Sequence, residues 1–329
     1  MFDPNIGILT LLQLKGWGRS AVQFILDEFP NELNSLSAIQ NAVNFAHNLN
    51  RRVAFSNVED INVAFNIANR QLESCLKNDI SVIGYNDKAF PIHLKSISKA
   101  PVILFVKGEL NLLNQPSIAV IGTRDPSEYG VLCARRLGTL FSEAGFVVVS
   151  GLAKGIDAAG HWGTISARGN TLAVLAQGLN TPIYPAENRE LAAKILEHHG
   201  ALVSEYPPET KAGRNMFVER DRIQSGLSHG VAVVETDITG GTMHTVDFCI
   251  QQSRILGCFD HPNEFYNDKA RGNKKLIQDG KALPLGSTLQ LNEFLDKVRN
   301  RYNDELNRSG QQSSKNKKPY PDDEQISFF

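Results

Sequence analysis

Short apolar segments alternate with helix-length segments from residue 117 onward, and this alternation limits the possible folds more than any other feature. The apolar segments are 118–121, 146–149, 172–175, 201–203, 231–234 and 256–259. They contain almost no polar residues, which is typical of strands buried on both faces. The helix-length segments are 128–143, 156–167, 187–198, 221–227 and 242–252. The alternation predicts an α/β fold with a doubly wound parallel sheet and helices on both faces.

The remaining segments differ in character from this alternating region. Helical spacing of apolar residues, on either side of a Gly16-Trp17-Gly18 break, predicts a small helical N-terminal domain over residues 1–78. The α/β domain is then expected over 79–286, and an amphipathic C-terminal helix over 287–306. Residues 307–329 are rich in Gln, Ser, Lys and Asn, which predicts a flexible, disordered tail.

Composition and charge exclude several classes of protein. The four cysteines are scattered without a CxxC pair, which argues against a disulfide framework or a zinc site and indicates a reducing, cytoplasmic compartment. No apolar run approaches the ~20 residues that span a bilayer, and the first residues lack the basic region of a secretion signal. We expect no membrane partner, no metal and no cofactor.

Basic residues are unevenly distributed along the chain. The net charge of −1 gives the whole chain no long-range attraction for nucleic acid, so a nucleic-acid binder of this composition must segregate its basic residues. Residues 269–318 contain 12 Lys and Arg against 5 Asp and Glu. The composition is therefore compatible with a local basic surface.

The loops that follow the predicted strands carry the candidate binding residues. In α/β sheets, ligands bind at the carboxyl ends of the strands. The loop after the first of these strands contains Gly122, Thr123, Arg124 and Ser127. Glycine lets backbone amides approach an anion, the hydroxyls add donors, and Arg124 can bind a phosphate with two hydrogen bonds. The loop predicts phosphate binding; the alternative is a tight turn in which Ser127 caps the next helix.

Three further regions share this character. Gly151 and Lys154 belong to a glycine-rich turn between a strand and a helix, which lacks the Gly-Lys-Ser/Thr ending of a Walker A loop. Arg220 and Arg222 are expected to flank the start of a helix, and Gly240-Gly241-Thr242 opens the next helix. We predict that all of these residues bind phosphate.

Asp157 and His161 lie four residues apart on the helix after Gly155. A catalytic pair would need a nucleophile or a metal, and the sequence gives evidence of neither. We expect a hydrogen bond between the two side chains on the helix surface.

Several sequence motifs come in the order and spacing of the DNA-processing protein A family (DprA, also called Smf). The motifs are IGTRDPSEYG, SGLAKGIDAAGH, TLAVLAQGLN, SEYP, FVERDRIQSGLS and TGGT, within about residues 80–280. The resemblance implies a Rossmann-like domain that binds single-stranded DNA and forms a homodimer. It also implies a role in natural transformation or recombination, by promoting the loading of a RecA-type recombinase.

The resemblance extends to individual residues, with one clear departure. The family's glycine–serine–arginine turn falls on Gly122-Thr123-Arg124, and its arginine–asparagine–arginine falls on Arg220, Asp221 and Arg222. An acid at position 221 would repel a phosphate unless the two arginines clamp it. The winged-helix domain that often follows in the family has no counterpart, so we expect a divergent member.

Two other functions remain open. Gly240-Gly241-Thr242 resembles part of the glycine-rich motif of the lysine-decarboxylase-like phosphoribohydrolases, but Asp247 alone cannot supply both acid and base on the next helix. We therefore predict that the protein is not an enzyme. The same loops would also suit a nucleotide-sensing module of a defence or signalling system. Salt-dependent binding of oligonucleotides, against saturable binding of a mononucleotide, separates these functions.

The last five residues resemble the pentapeptide that binds the bacterial sliding clamp. They are Gln325, Ile326, Ser327, Phe328 and Phe329. The phenylalanines would anchor the peptide in the clamp pocket, and the glutamine would orient it. The alternative is that the phenylalanines fold back on the protein's own surface.

Overall fold

A single mixed sheet organises the protein. The computed structural model describes residues 3–29, 33–49, 53–54 and 56–315. Among these residues, nine strands form a sheet in the order β1-β2-β6-β5-β4-β3-β7-β8-β9. The strands are β1 (Ser81–Gly84), β2 (Ile103–Gly108), β3 (Ser117–Ile121), β4 (Val147–Ser150), β5 (Thr171–Leu175), β6 (Ala201–Ser204), β7 (Gly230–Val233), β8 (Ile255–Cys258) and β9 (Leu283–Pro284).

Helices precede the sheet, cover its two faces and follow it. They are α1 (Ile6–Gln13), α2 (Arg19–Glu28), α3 (Leu36–Asn48), α4 (Val58–Lys77), α5 (Ile92–Lys95), α6 (Glu128–Glu143), α7 (Ile156–Ser166), α8 (Arg189–Glu197), α9 (Arg214–Gly226), α10 (Thr242–Gln251), α11 (Arg271–Gln278) and α12 (Thr288–Lys315). Within the described part of the chain, none of them is long and apolar enough to cross a membrane.

The six strands predicted from the apolar segments are confirmed as β3 to β8. All six run parallel to one another, whereas β1 and β2 add an antiparallel edge beside β6. Every residue of β3, β4, β5, β6 and β7 is buried. Burial on both faces explains why these strands appear in the sequence as uninterrupted apolar runs, and it confirms the doubly wound α/β fold.

The strand order reverses beside β3. The chain passes from β3 to β4, β5 and β6 on one side, and β7 then returns to the other side of β3. A reversal of this kind leaves a crevice at the carboxyl ends of the two central strands, where α/β proteins bind ligands. The fold therefore directs attention to the loops that follow β3 and β7.

The helical N-terminal region is also confirmed, and it shares a hydrophobic core with the sheet. Ile25 of α2 belongs to the same buried cluster as Phe105 of β2 and Leu202 of β6. Arg19 at the start of α2 forms an ion pair of 3.1 Å with Glu205, directly after β6. The N-terminal helices are thus fixed against one edge of the sheet, while the domain boundary at residue 78 stays a prediction.

The C-terminal helix packs as the amphipathic pattern predicts. Phe294 and Val298 are fully buried, and Leu291 and Leu295 pack beside them. The helix α12 continues past residue 306 to Lys315, because a helix that has formed extends at little cost per residue. The rest of the predicted tail, including the pentapeptide at 325–329, lies outside the described residues.

Close contact between α6 and α7 depends on glycine. A methyl group at Gly163 of α7 would lie 2.0 Å from the backbone oxygen of Arg135 in α6, and one at Gly138 of α6 would lie 2.3 Å from the backbone oxygen of Gly160 in α7. No carbon atom fits at such distances, so the glycines set the separation of the two helices. This separation positions the N-terminus of α7 beneath the loop that follows β3.

We expect Gly163→Ala to lower the free energy of unfolding by about 1–3 kcal/mol, since the added methyl group forces the two helices apart. Gly241→Ala is the control, because a methyl group at Gly241 would have no neighbour within 4 Å. Urea denaturation of both variants measures the effect. Equal unfolding midpoints for the two variants would show that the two helices are not in close contact.

Candidate functional site

A cleft of about 530 Å³ lies at the carboxyl ends of β3 and β7. Its walls come from the loops that follow these two strands, from the first turns of α7 and α10, and from one side of α9 between Arg214 and Gln224. Seven of the predicted phosphate-binding residues line it: Gly122, Thr123, Arg124, Arg220, Gly240, Gly241 and Thr242. Of the others, Ser127, Gly151, Lys154 and Arg222 are not among its lining residues.

The rim of the cleft carries exposed cations next to an aromatic ring. Arg124 is exposed, and its guanidinium carbon lies 5.5 Å from the centre of the Phe217 ring. Arg214, the first residue of α9, is also exposed and lines the same cleft. The carboxylates of Asp221, Asp125 and Asp237 around the cleft pair with other cations, namely Arg220, Lys269 and Arg271. The Arg124 guanidinium is therefore available to an anionic ligand.

The backbone of the loop after β3 is largely committed to the fold. The Thr123 amide donates to the Glu235 backbone oxygen at 2.8 Å, and the Ser127 amide donates to the Glu235 carboxylate at 2.8 Å. A methyl group at Gly122 would lie 2.5 Å from Ile156 and 2.9 Å from the Glu235 oxygen, so packing requires this glycine. The loop therefore presents Arg124 to a ligand, whereas the amides of Thr123 and Ser127 are occupied.

Ser127 caps helix α6, as the alternative interpretation of the loop proposed. Its hydroxyl accepts a hydrogen bond of 2.9 Å from the Gly130 amide and donates one of 2.5 Å to Glu235. Glu235 is completely buried. Burial acts to raise the pKa of Glu235, but hydrogen bonds from His261 and Ser127 outweigh it and hold that pKa at about 2. An ionised carboxylate thus fixes the loop from below, and no local sequence pattern predicts this role of Glu235.

The N-terminus of α10 offers backbone donors to the cleft. The first amides of a helix have no partner within the helix itself. Gly241 and Thr242 occupy this position, and a methyl group at Gly241 would meet no atom within 4 Å. The partial positive charge of the helix N-terminus adds to these amides. This feature supports the prediction for Gly241 and Thr242, whereas the Gly240 amide donates to the Asp237 backbone oxygen at 3.2 Å.

The predicted position of Arg220 and Arg222 was wrong. They do not flank the start of a helix, because α9 already begins at Arg214 and both arginines lie in its interior turns. Only 4% of Arg220 and 1% of Arg222 is exposed. The apolar spacing that suggested a later start comes from Ile223 and Leu227, whereas the first turns of α9 carry polar and half-exposed residues.

Arg222 faces away from the cleft. Its Nη2 atom donates to both carboxylate oxygens of Glu205, at 2.7 Å and 2.6 Å. Arg19 of α2 reaches the same carboxylate and also binds Glu219 of α9 at 2.7 Å. Arg222 therefore links α9 to the end of β6 and to the N-terminal helices. From this position it does not reach the cleft.

Arg220 lies on the floor of the cleft, between two carboxylates. Its Nη1 atom donates to the backbone oxygen of Val174 at 2.7 Å, and its Nε atom lies 3.2 Å from Asp221. A methyl group at Gly151 would lie 1.8 Å from the Arg220 guanidinium, so this glycine makes room for the arginine and not for an anion. Asp157 accepts a hydrogen bond of 3.0 Å from the Gly151 amide.

The two aspartates give the floor an unusual protonation behaviour. Burial raises the pKa of Asp221 to about 6, against the lowering effect of Arg220. Burial likewise raises the pKa of Asp157, and the positive charge of Arg220 only partly opposes this rise. Each ionised carboxylate makes ionisation of the other less favourable, and the single positive charge of Arg220 can compensate only one of the two negative charges. The cleft thus has a basic rim over an acidic floor, and Arg222 does not contribute to the clamp that the sequence suggested around Asp221.

Two other sequence predictions fall outside the cleft. Lys154 pairs with Glu187 on the surface. The predicted hydrogen bond between Asp157 and His161 is wrong, because His161 is fully buried and its Nδ1 atom lies 2.6 Å from the Thr171 hydroxyl. Gly160 of α7 lies so close to Val120 of β3 that an added methyl group would be 2.9 Å from it, and this close packing buries the side of the helix that carries His161.

At the opposite ends of the strands, donor atoms of His93, His229 and Glu305 lie within 4.8 Å of one another. The Ser117 amide donates to His229 Nδ1 at 3.2 Å, so the neutral ring carries its hydrogen on Nε2 and has no lone pair there for a cation. Glu305 also accepts a hydrogen bond of 2.9 Å from Arg254. These contacts fit the anchoring of α12 and not a metal site.

Comparison with known proteins places the chain in context. The sequence model of the family DNA recombination-mediator protein A matches residues 81–296. The chain is 40% identical to the DNA processing protein DprA of Bacillus subtilis over 212 residues, which cover 64% of this chain and 70% of that protein. It is 38% identical to the protein Smf of Escherichia coli over 206 residues, which cover 61% of this chain and 53% of that protein.

Solved structures resemble the fold. The X-ray structure of DNA processing protein A from Streptococcus pneumoniae matches with a TM-score of 0.72 and 27% identity, over 88% of this chain and 98% of that chain. DNA processing protein A from Helicobacter pylori, described for its single-stranded DNA binding mode, matches with a TM-score of 0.56 and 22% identity, over 69% of this chain and 96% of that chain. The second likeness concerns the fold alone.

We expect Asp221→Asn to stabilise the protein at high pH. Since the folded-state pKa of about 6 lies above the ordinary value of 3.8, the stability contributed by protonated Asp221 is full below pH 4 and is lost as the pH rises through 6. At pH 8 the variant should exceed the wild type by about 1–3 kcal/mol, because asparagine carries no charge to bury and Asp157 still faces Arg220.

Thermal or urea unfolding at several pH values measures this difference. The gain should shrink toward zero near pH 4, where both side chains are neutral. A variant less stable than the wild type at pH 8 would show that the ion pair with Arg220 stabilises the fold more than burial of Asp221 destabilises it.

Proposed function

Because this chain belongs to the DNA recombination-mediator protein A family, we propose that it binds single-stranded DNA in the cleft beside β3 and acts in DNA processing or recombination without catalysing a reaction. The main support is the rim of the cleft. There the free guanidinium of Arg124, the Phe217 ring and the amides at the start of α10 lie together. An arginine and helix amides suit a phosphate, and an aromatic ring suits an unpaired base.

Single-stranded DNA fits this cleft better than duplex. Reading a duplex by sequence needs a helix or a β-ribbon that projects into the major groove, whereas α9 and α10 point their N-termini into a concave site. Single strands leave bases free to stack on exposed aromatic rings and phosphates free to meet arginine. The single-stranded DNA binding mode described for the Helicobacter pylori protein agrees with this choice.

Family membership also carries the finer proposals. The chain would form a homodimer in the cytoplasm, bind incoming single-stranded DNA during natural transformation or recombination, and promote the loading of a RecA-type recombinase. Docking of residues 325–329 into the sliding clamp stays a prediction from the sequence.

A nucleotide-sensing role is the second candidate, since a cleft of about 530 Å³ has the size of a small-molecule site. The phosphoribohydrolase alternative has less support. Asp247 lies outside the cleft, on the part of α10 near Gln251 and Lys281. The reaction would need a second acid beside it.

We expect single-stranded DNA to bind more tightly than duplex of equal length, without strong sequence preference and with an affinity that falls as salt rises. Fluorescence anisotropy with labelled oligonucleotides at two salt concentrations measures this. Duplex binding of equal or greater strength would contradict the proposal. Saturable binding of a mononucleotide, with no binding of oligonucleotides, would favour the sensing role.

We expect Arg124→Ala to weaken binding of single-stranded DNA by about 10- to 100-fold, because one charge-assisted contact to phosphate is lost. Its thermal stability should be unchanged, since Arg124 is exposed. Arg136→Ala is the matched control, an exposed arginine of α6 that does not line the cleft. If both variants bind DNA with equal affinity, the cleft has been assigned wrongly.

A further inference from the structure

Two adjacent aromatic residues are exposed beyond the last long strand of the sheet. Phe265 is 43% exposed and Tyr266 is 38% exposed. Both belong to the segment between β8 and α11, and the proposed function assigns no role to either ring. Neighbouring aromatic rings on a surface indicate an interaction site more strongly than isolated apolar residues do.

A second ring holds Phe265 in place. The rings of Phe265 and Tyr129 stack with centroids 4.0 Å apart and an angle of 9° between their planes. Tyr129 is in the first turn of α6, two residues after the capping residue Ser127. Phe265 is thus fixed against the same helix that follows the loop of Arg124.

Two polar contacts tie the aromatic segment to the cleft. Asn267 donates to the buried Glu235 carboxylate at 3.4 Å, and Lys269 pairs with Asp125 at 2.9 Å. Lys269 itself lines the cleft. The exposed rings therefore lie next to the rim that carries Arg124. Their segment is held by Glu235, the same residue that fixes the Arg124 loop.

Positive charge accompanies the rings. The Lys274 ammonium lies 4.9 Å from the centre of the Tyr266 ring, and Lys274 is exposed. Proteins that bind single strands combine basic residues, which follow the phosphates, with aromatic rings on which successive bases stack. This segment has both components beside a cleft that already has them.

We propose that Phe265, Tyr266 and Lys274, backed by Tyr129, form a stacking platform that binds the bases of single-stranded DNA leaving the cleft. This inference rests on the proposed function of the cleft and extends it to a longer strand. The exposed Lys274 ammonium beside the Tyr266 ring, and the continuity of this surface with the cleft through Lys269, fit a polyanion better than an apolar protein surface, so we take DNA and not a second copy of the chain as the occupant.

The test compares oligothymidylates of about 6 and about 20 nucleotides, lengths chosen to fill the cleft alone and to extend beyond it. Phe265→Ala should weaken binding of the longer oligonucleotide about 10-fold and leave the shorter one unchanged, since one base–aromatic stack is lost. Phe265→Trp, which keeps an aromatic face, should retain wild-type affinity for both. Leu289→Ala is the control, an 80% exposed apolar residue at the start of α12.

Equal binding of the longer oligonucleotide by wild type and Phe265→Ala would overturn the platform. If that variant also changes the molar mass in sedimentation, the surface contacts a second copy of the chain, which overturns the proposal as well. Loss of affinity in Arg124→Ala together with none in Phe265→Ala would reject the platform and leave the cleft intact. Failure of the wild type to bind either oligonucleotide would reject the proposed function itself.

Discussion

The buried carboxylate of Glu235, at the end of β7, is the contact on which the site depends. It accepts hydrogen bonds from the amide and the hydroxyl of Ser127, and Asn267 reaches it from the segment after β8. A buried charge is stable when it is hydrogen-bonded in this way, and removing its partners is costly. Glu235 thereby sets the position of the Arg124 loop relative to the aromatic segment, two elements that come from opposite sides of the strand reversal.

Buried arginines support this arrangement from the other wall. Arg220 fills the space that Gly151 leaves open, and Arg222 joins α9 to Glu205. These two guanidinium groups hold the cleft's shape, while the exposed Arg124 and Arg214 remain for a ligand. This difference between the buried and the exposed arginines follows from burial, because an arginine whose charge is already compensated inside the protein attracts a phosphate only weakly.

The sequence predicted the sheet well and the site in part. Strands buried on both faces leave an unbroken apolar run, so β3 to β8 could be placed from local pattern alone. The interior position of Arg220 and Arg222 could not be predicted in this way. The first turns of α9 lack apolar periodicity, and burial of a charged residue depends on partners such as Glu205. Glu235 escaped notice for the same reason, since it bonds Ser127, which is 108 residues away. A glycine in a loop can allow either anion binding or close packing. At Gly122 and Gly151 the structure supports close packing.

We propose that single-stranded DNA binds at the crevice beside β3, on the rim and not elsewhere on the sheet. Hydrogen–deuterium exchange of the whole protein, with and without an oligothymidylate, tests it most directly. We expect slower exchange on DNA binding at residues 122–124, at the start of α9 and at 240–244, with no change in β1 or α3. Slower exchange confined to the N-terminal helices or to α12, with these loops unchanged, would contradict it.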